Sequence, residues 1–413
     1  MELKTKYQYT YFLHPFMVKE NRYAKYILKL LKNPKCKLRI FQKEKDIDIY
    51  SYFIPKIRNY MFSTFTFNKA KIKKLEELSV DTQAAILAKM PSVIFEYNFK
   101  NDVQGKTEEQ NGIFFKIQKI EIICFNTGIC FINMKTNVEN SEKFSDVLNF
   151  NYKFRGITEE GFLSCDKIRI QTDVFENVKM LKTFIKEITG QNELEINNIE
   201  TEKFYMYSYL CIDQSNWKTE EDFENLKNSY MKYVKILPND NNTLLNTDET
   251  KIMGNWNYAK LGITKAGVTM FSSSTEINNY TVLPHEYENQ YLYTYVLALY
   301  MKLYMKLINA ELKQGIDIEK TRKKFIEFTK NLWIQEITID DIGTLFYHNL
   351  RNVLELDILY LETKNRYDVL YKELNIEKNA KTNKIIVLIL IASLITNILT
   401  FMSMLGWKLS LLK

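Results

Sequence analysis

Five cysteines and three histidines set the first limit on what this 413-residue chain does. Cys36, Cys124, Cys130, Cys165 and Cys211 lie far apart with no CxxC pair, and His14, His285 and His348 stand singly. A zinc site needs such residues clustered, and a nucleophilic site needs a base beside its nucleophile. No GxxxxGK[ST], GxGxxG, GxSxG or HExxH grouping is present. The expected chemistry is therefore binding, and no enzyme activity or catalytic residue is assigned. Scattered cysteines in an odd number read as reduced cytosolic thiols packed as small hydrophobes.

Two stretches place rings beside cations. "NYKFRG" offers Tyr152, Lys153 and Arg155; "WNYAKLGITKAG" offers Trp256, Lys260 and Lys265. Aromatic faces stack on planar rings, and Lys or Arg pair with phosphate. A formal charge of +7 suits a small anionic ligand or an anionic membrane surface. Direct binding of nucleic acid is not expected. With 57 basic residues in the chain, the plainer reading of each cation is a solvated face.

The C-terminal part carries a second kind of signal. No charged side chain lies between Lys384 and Lys408, and Ile385 to Leu405 is a run of 21 mostly apolar residues. A hydrocarbon core about 30 Å thick takes roughly 20 residues as a helix. Trp407 stands where an interfacial ring belongs, and the lysines bracket the span. Lys372, Lys378, Lys381 and Lys384 precede it, while Lys408 and Lys413 follow. That bias puts the N-terminal side in the cytosol. Ser393, Thr396, Asn397, Thr400 and Ser403 fall within about 120° of the helix circumference. Such a stripe suits a helix interface or a polar lumen. Ser and Thr have the alternative of bonding to their own helix; Asn397 does not.

Positioning these groups requires two kinds of structure. Residues 1–283 read as an α/β domain of one or two parts, with any boundary near 160–200. "NRYAKYILKLLKN" (21–33) and "VFENVKMLKTFIKEITG" (174–190) have helical spacing, the latter closed by Gly190. Two β-rich runs flank Asn126-Thr127-Gly128 as a hairpin. "NFNYKFRGI" (149–157) and "KFYMYSYLCID" (203–213) read as strands, and "YAKLGITKAGVTMFSSS" (258–274) as a hairpin turning at Lys265-Ala266-Gly267.

From Pro284 the composition turns helical. Residues 284–383 read as a stalk of helices near 286–312, 317–334 and 338 onward, with 384–407 as the transmembrane helix. "TIDD" at Thr338 offers a capping box. The last helix carries a seam: Ile342, Phe346, Asn349, Val353, Leu356, Tyr360, Thr363, Tyr367, Leu370 and Leu374 are alternately four and three apart. Such a seam serves either a homo-oligomer or a bundle within one chain.

An α/β domain, then helices, then a long helix entering a C-terminal span resembles the CorA superfamily of membrane proteins. The resemblance covers about 286–407. It implies a pentamer whose stalk helix continues into an ion pore. Asp340, Asp341, Glu355 and Asp357 are then candidates for regulatory Mg²⁺. The family's Gly-Met-Asn signature is replaced here by Met404-Leu405-Gly406-Trp407, and one span is present where the family has two. The chain is thus more similar to the divergent CorA-like branch found beside type III CRISPR systems. That likeness implies an oligomeric effector in a bacterial inner membrane, gated by a nucleotide second messenger in antiviral defence. The alternatives are a Mg²⁺ channel and a non-conducting tail-anchored scaffold for protein partners.

Overall fold

The computed structural model describes residues 2–108, 112–156, 167–173, 177–190, 203–241, 250–315 and 317–410. Its centre follows from alternation. In β1 (Thr5–Met17), Tyr9, Tyr11 and Leu13 face one core while Phe12 and Phe16 face the other. A strand apolar on both sides must be covered on both sides.

β1 lies inside a 12-stranded sheet that includes β2 (Cys36–Leu38), β3 (Ser92–Tyr97), β4 (Val103–Lys106), β5 (Phe114–Phe125), β6 (Ile129–Val138), β7 (Arg169–Gln171), β8 (Lys179–Met180), β9 (Tyr205–Ile212), β10 (Lys251–Trp256), β11 (Ala259–Thr264) and β12 (Gly267–Ser273). The order is β10-β11-β12-β9-β1-β6-β5-β4-β7-β8, with β3 also on β5 and β2 on β3. Every pairing is antiparallel except β12 with β9. The expected hairpins are present: Gly128 turns β5 into β6 at φ 89°, and β11 turns into β12 through Lys265 and Ala266. Residues 149–157 differ from expectation. Phe144–Phe154 is a helix, because Phe144, Val147, Leu148, Asn151 and Phe154 recur at helical spacing and bury on the sheet. The expected helix at 174–190 is shorter, Leu181–Thr189, and Gly190 closes it at φ 64°.

One face of the sheet is covered by helices that include Tyr23–Lys32, Phe144–Phe154, Leu181–Thr189 and Asp222–Val234. The other is covered by Ile47–Tyr52, Pro55–Met61 and the helices after Leu283. Chief among these is Leu292–Gln314, buried around most of its circumference. A helix apolar all round belongs inside a protein. Most of the helices expected as a stalk from 284 thus form the third layer of the α/β domain, with no boundary in packing at Pro284, while the last runs on beyond it as one long helix.

Tyrosines fasten that layer. Hydroxyls of Tyr9, Tyr207 and Tyr209 donate from the sheet to the carbonyls of Pro284 (2.8 Å), Tyr287 (2.6 Å) and Asn279 (2.5 Å). A buried tyrosine contributes apolar area and still satisfies its hydroxyl.

The last expected helix is two. Asp341–Val353 packs on the domain, and a 55-residue helix runs from Leu356 to Ser410. Between them Glu355 adopts φ 58°, a left-handed conformation unusual for a side chain other than Gly, Asn or Asp. The first of the two is capped by Asp340, which accepts from the Gly343 amide at 2.6 Å, while Thr338 accepts from Asp340. This replaces the expected box between Thr338 and Asp341.

Candidate functional site

The seam expected for self-assembly is largely consumed within the chain. Phe346 and Leu356 are fully buried and Val353 nearly so, in the core that also holds Leu292–Gln314. Ile342, Tyr360, Tyr367 and Leu370 pack against the same core, and Tyr360 stacks on Trp333 at 4.1 Å. The side chains of Leu374 and Trp407 lie outside the described residues. Opposite this seam the long helix presents Ile358, Leu361, Val369 and Ile376, each more than half exposed. These four share an arc of about 80°. Sequence reading missed them because polar Asn365 and Lys372 interrupt their series.

Beyond them the helix is bare. Within Asn379–Gly406 an 18-residue stretch has a mean hydropathy of 2.6, no residue of the segment is buried, and it is long and apolar enough to cross a membrane. Within it the polar stripe divides chemically. The hydroxyls of Thr396, Thr400 and Ser403 donate to carbonyls three or four residues back, at 2.8–3.1 Å. Ser393 and Asn397 make no hydrogen bond through their side chains among the described residues. An amide has two donors and an acceptor to place, and at Asn397 none is placed on the helix's own backbone.

The two ring-and-cation stretches are not brought into one pocket. Lys153, half-buried, pairs with Glu108 at 2.5 Å; Tyr152 is half-buried beside it on the same helix. Trp256 packs on the helical layer near Tyr291, at 6.2 Å. Lys260 turns to the opposite face, 3.9 Å from Glu220 and 5.6 Å above the Phe223 ring. Arg155 and Lys265 do share one end of the sheet. Arg155 donates to the Phe204 carbonyl at 3.0 Å, and two residues on Met206 donates to Ala266, the neighbour of Lys265, at 3.1 Å.

Lys265 is where the domain meets the long helix. Its ammonium donates to the Glu355 carboxylate at 2.8 Å. Glu355 in turn offers its carbonyl to the Leu359 amide at 3.0 Å, the first acceptor of the helix that becomes the apolar segment. Lys302 and Lys306, a turn apart on Leu292–Gln314, lie close enough for their charges to act on Glu355. Sequence reading missed both because they lie on an otherwise apolar helix. The bond from Lys265, then the charges of Lys265, Lys302 and Lys306, hold the Glu355 carboxyl below the usual glutamate range. Burial, then Lys306, push the Lys302 ammonium down to about 8. Across the same hinge, buried Arg351 donates to Asp357 at 2.5 Å and lies 4.3 Å above the Trp333 ring.

A cleft of about 570 Å³ opens elsewhere, where β3 and β4 part along β5. Three of its lining charges are paired: Asp102 with Lys116, Lys119 with Glu121 at 2.9 Å and Glu96 with Arg39 at 3.5 Å. No group of three or more His, Cys, Asp or Glu side chains is placed to hold a metal ion among the described residues. Of the acids considered for Mg²⁺, Asp340 caps a helix, Glu355 meets Lys265 and Asp357 meets Arg351.

No family description, no curated protein and no solved structure matches this chain.

Proposed function

We propose that the chain is a membrane-anchored effector whose cytosolic α/β domain senses a small anionic ligand and passes the event to its membrane helix. One observation carries this reading. A single helix runs without a break from an ion-paired hinge on the domain to an uncovered 28-residue segment that is mostly apolar. A helix transmits a displacement at one end to the other, and a hinge with two packings gives a ligand something to bias.

The remainder of the proposal is the oligomer. Ile358, Leu361, Val369 and Ile376 offer a second copy a face that the chain leaves uncovered, and Asn397 offers it a polar contact within the bilayer. The CorA likeness supports a pentamer, a nucleotide messenger and a role in antiviral defence in a bacterial inner membrane. One observation favours a second reading. Because Thr396, Thr400 and Ser403 satisfy themselves, the span also suits an anchor that only tethers a protein-binding scaffold.

Two measurements test the proposal. Alkaline carbonate should leave the full chain in the membrane pellet, while removal of residues 379–413 should release it. Light scattering in mild detergent should give a multiple of the 49.2 kDa chain. A chain that washes off the membrane, or a monomer in detergent, sinks the proposal.

A further inference from the structure

We propose that Lys265, Lys302 and Lys306 form a binding site for a soluble phosphorylated small molecule, and that Glu355 is a resident carboxylate which the ligand's phosphate displaces. The inference rests on the effector reading and names the ligand class and the trigger.

Charge is the first argument. Lys265 bonds the Glu355 carboxylate, and Lys302 and Lys306 lie within electrostatic range of it, so cations outnumber the carboxylate where the β11–β12 turn, the Leu292–Gln314 helix and the hinge meet. Lys302 is half-buried, and neither it nor Lys306 makes a hydrogen bond or ion pair among the described residues. A cation drawn from water without a partner is disfavoured, so the site is under-neutralised as it stands. A single carboxylate cannot bridge all three lysines. A phosphate dianion matches the excess, and lysine binds phosphate as a compact point charge without demanding planar geometry.

Backbone conformation is the second argument. Glu355 sits at φ 58° and spends its side chain on Lys265 while its carbonyl starts the long helix. A glutamate held in left-handed backbone is under strain, and such positions persist where surrounding contacts over-determine them. The Lys265 pair is one such contact. An anion that takes Lys265 removes it, and the hinge is then free to relax.

Reach decides the source of the phosphate. Asn379, where the apolar segment begins, is 24 residues beyond Glu355, or about 36 Å along a helix. A lipid headgroup does not reach that far from the bilayer, so the ligand comes from solution.

The test uses the full chain in nanodiscs and inorganic tripolyphosphate as the probe. Calorimetry should show saturable binding, weakened at least tenfold by Lys302→Ala and tightened several-fold by Glu355→Gln, which removes the competitor's charge. Amide exchange at Leu359 should rise when tripolyphosphate binds. Anionic lipid in the disc should leave the titration unchanged. Matching thermal transitions for both variants establish that each is folded. Absence of saturable binding, indifference to Lys302→Ala, or a Glu355→Gln variant that binds no tighter overturns the site. Competition by anionic lipid also overturns it, in its soluble-ligand form. Binding in the expected order with no dye leakage from liposomes would uphold the site while refuting the effector reading.

Discussion

Lys265 and Glu355 are 90 positions apart in the chain and meet at 2.8 Å, joining one end of the sheet to the residue that precedes the 55-residue helix. Both side chains are about half exposed. Such a pair contributes about 1 kcal/mol or less to stability. Its value lies in position: it ties down a residue with left-handed backbone at the one break between two helices. Lys265→Ala is therefore expected to leave the thermal transition within about 1 kcal/mol of wild type. Limited proteolysis near 353–357 should nonetheless quicken. Unchanged cleavage would show that the pair does not hold the hinge.

Leu356 and Ile358 separate folding from assembly. Leu356 is buried in the domain core, so Leu356→Asp buries an unpaired charge and should cost several kcal/mol, abolishing the cooperative unfolding transition. Ile358 and Val369 are 67% and 56% exposed, so the double change to Asp should keep the transition and lower the particle mass in detergent. A double variant that stays assembled would rule out this face as the contact.

Asn397→Leu makes the apolar segment more apolar still and should leave its membrane insertion intact. An interhelical bond from such an amide is worth about 0.6 kcal/mol on average and up to about 2. Repeated around an axis, that is enough to set a balance between packings. The variant should lose ligand-dependent dye leakage, while Leu394→Ile keeps it. Wild-type leakage from Asn397→Leu would make the anchor reading the better one.

Lys302 gives the protein a pH signature. Its folded value of about 8 lies below the ordinary lysine value of 10.5. Below about 8 the group is charged in both states, and the fold bears the whole penalty of that charge. Between there and 10.5 the unfolded chain holds more protons, so this group's contribution to stability rises with pH. Urea midpoints in detergent at pH 7.5, 9 and 10 should show that rise in wild type relative to Lys302→Met. Parallel curves for the two proteins would contradict it. Tripolyphosphate should have the opposite effect on this group, holding the proton on, so its affinity should fall as pH climbs through 8.

Much of the sheet was legible because its evidence is local. Period-two alternation and Gly128 define β5 and β6, and the Lys265-Ala266-Gly267 turn defines β11 and β12, from neighbouring residues alone. The segment 149–157 misled because a short aromatic run reads equally as strand or helix until its neighbours at Phe144 and Val147 are included. The seam from Ile342 to Leu370 was legible as a pattern but silent about its partner, since packing within a chain and between chains needs the same spacing. Its interruption at Glu355 had no signal, because no Gly or Pro marks it. The lysine group was illegible for a different reason: turn, helix and hinge come together only through the tertiary fold.

The long helix leaves the domain near Leu370 and reaches the middle of the apolar segment near Ala392, about 33 Å further on. Over that arm a tilt of about 10° where the helix leaves the domain would sweep the middle of the apolar segment sideways by about 6 Å, roughly one helical pitch. In the proposed oligomer a displacement of that size would exchange which neighbour Asn397 faces. The geometry thus works as a mechanical amplifier. In the effector proposed above, a displacement of the Glu355 carboxylate by a phosphate would be magnified, through rigid backbone, into a change of partners inside the bilayer.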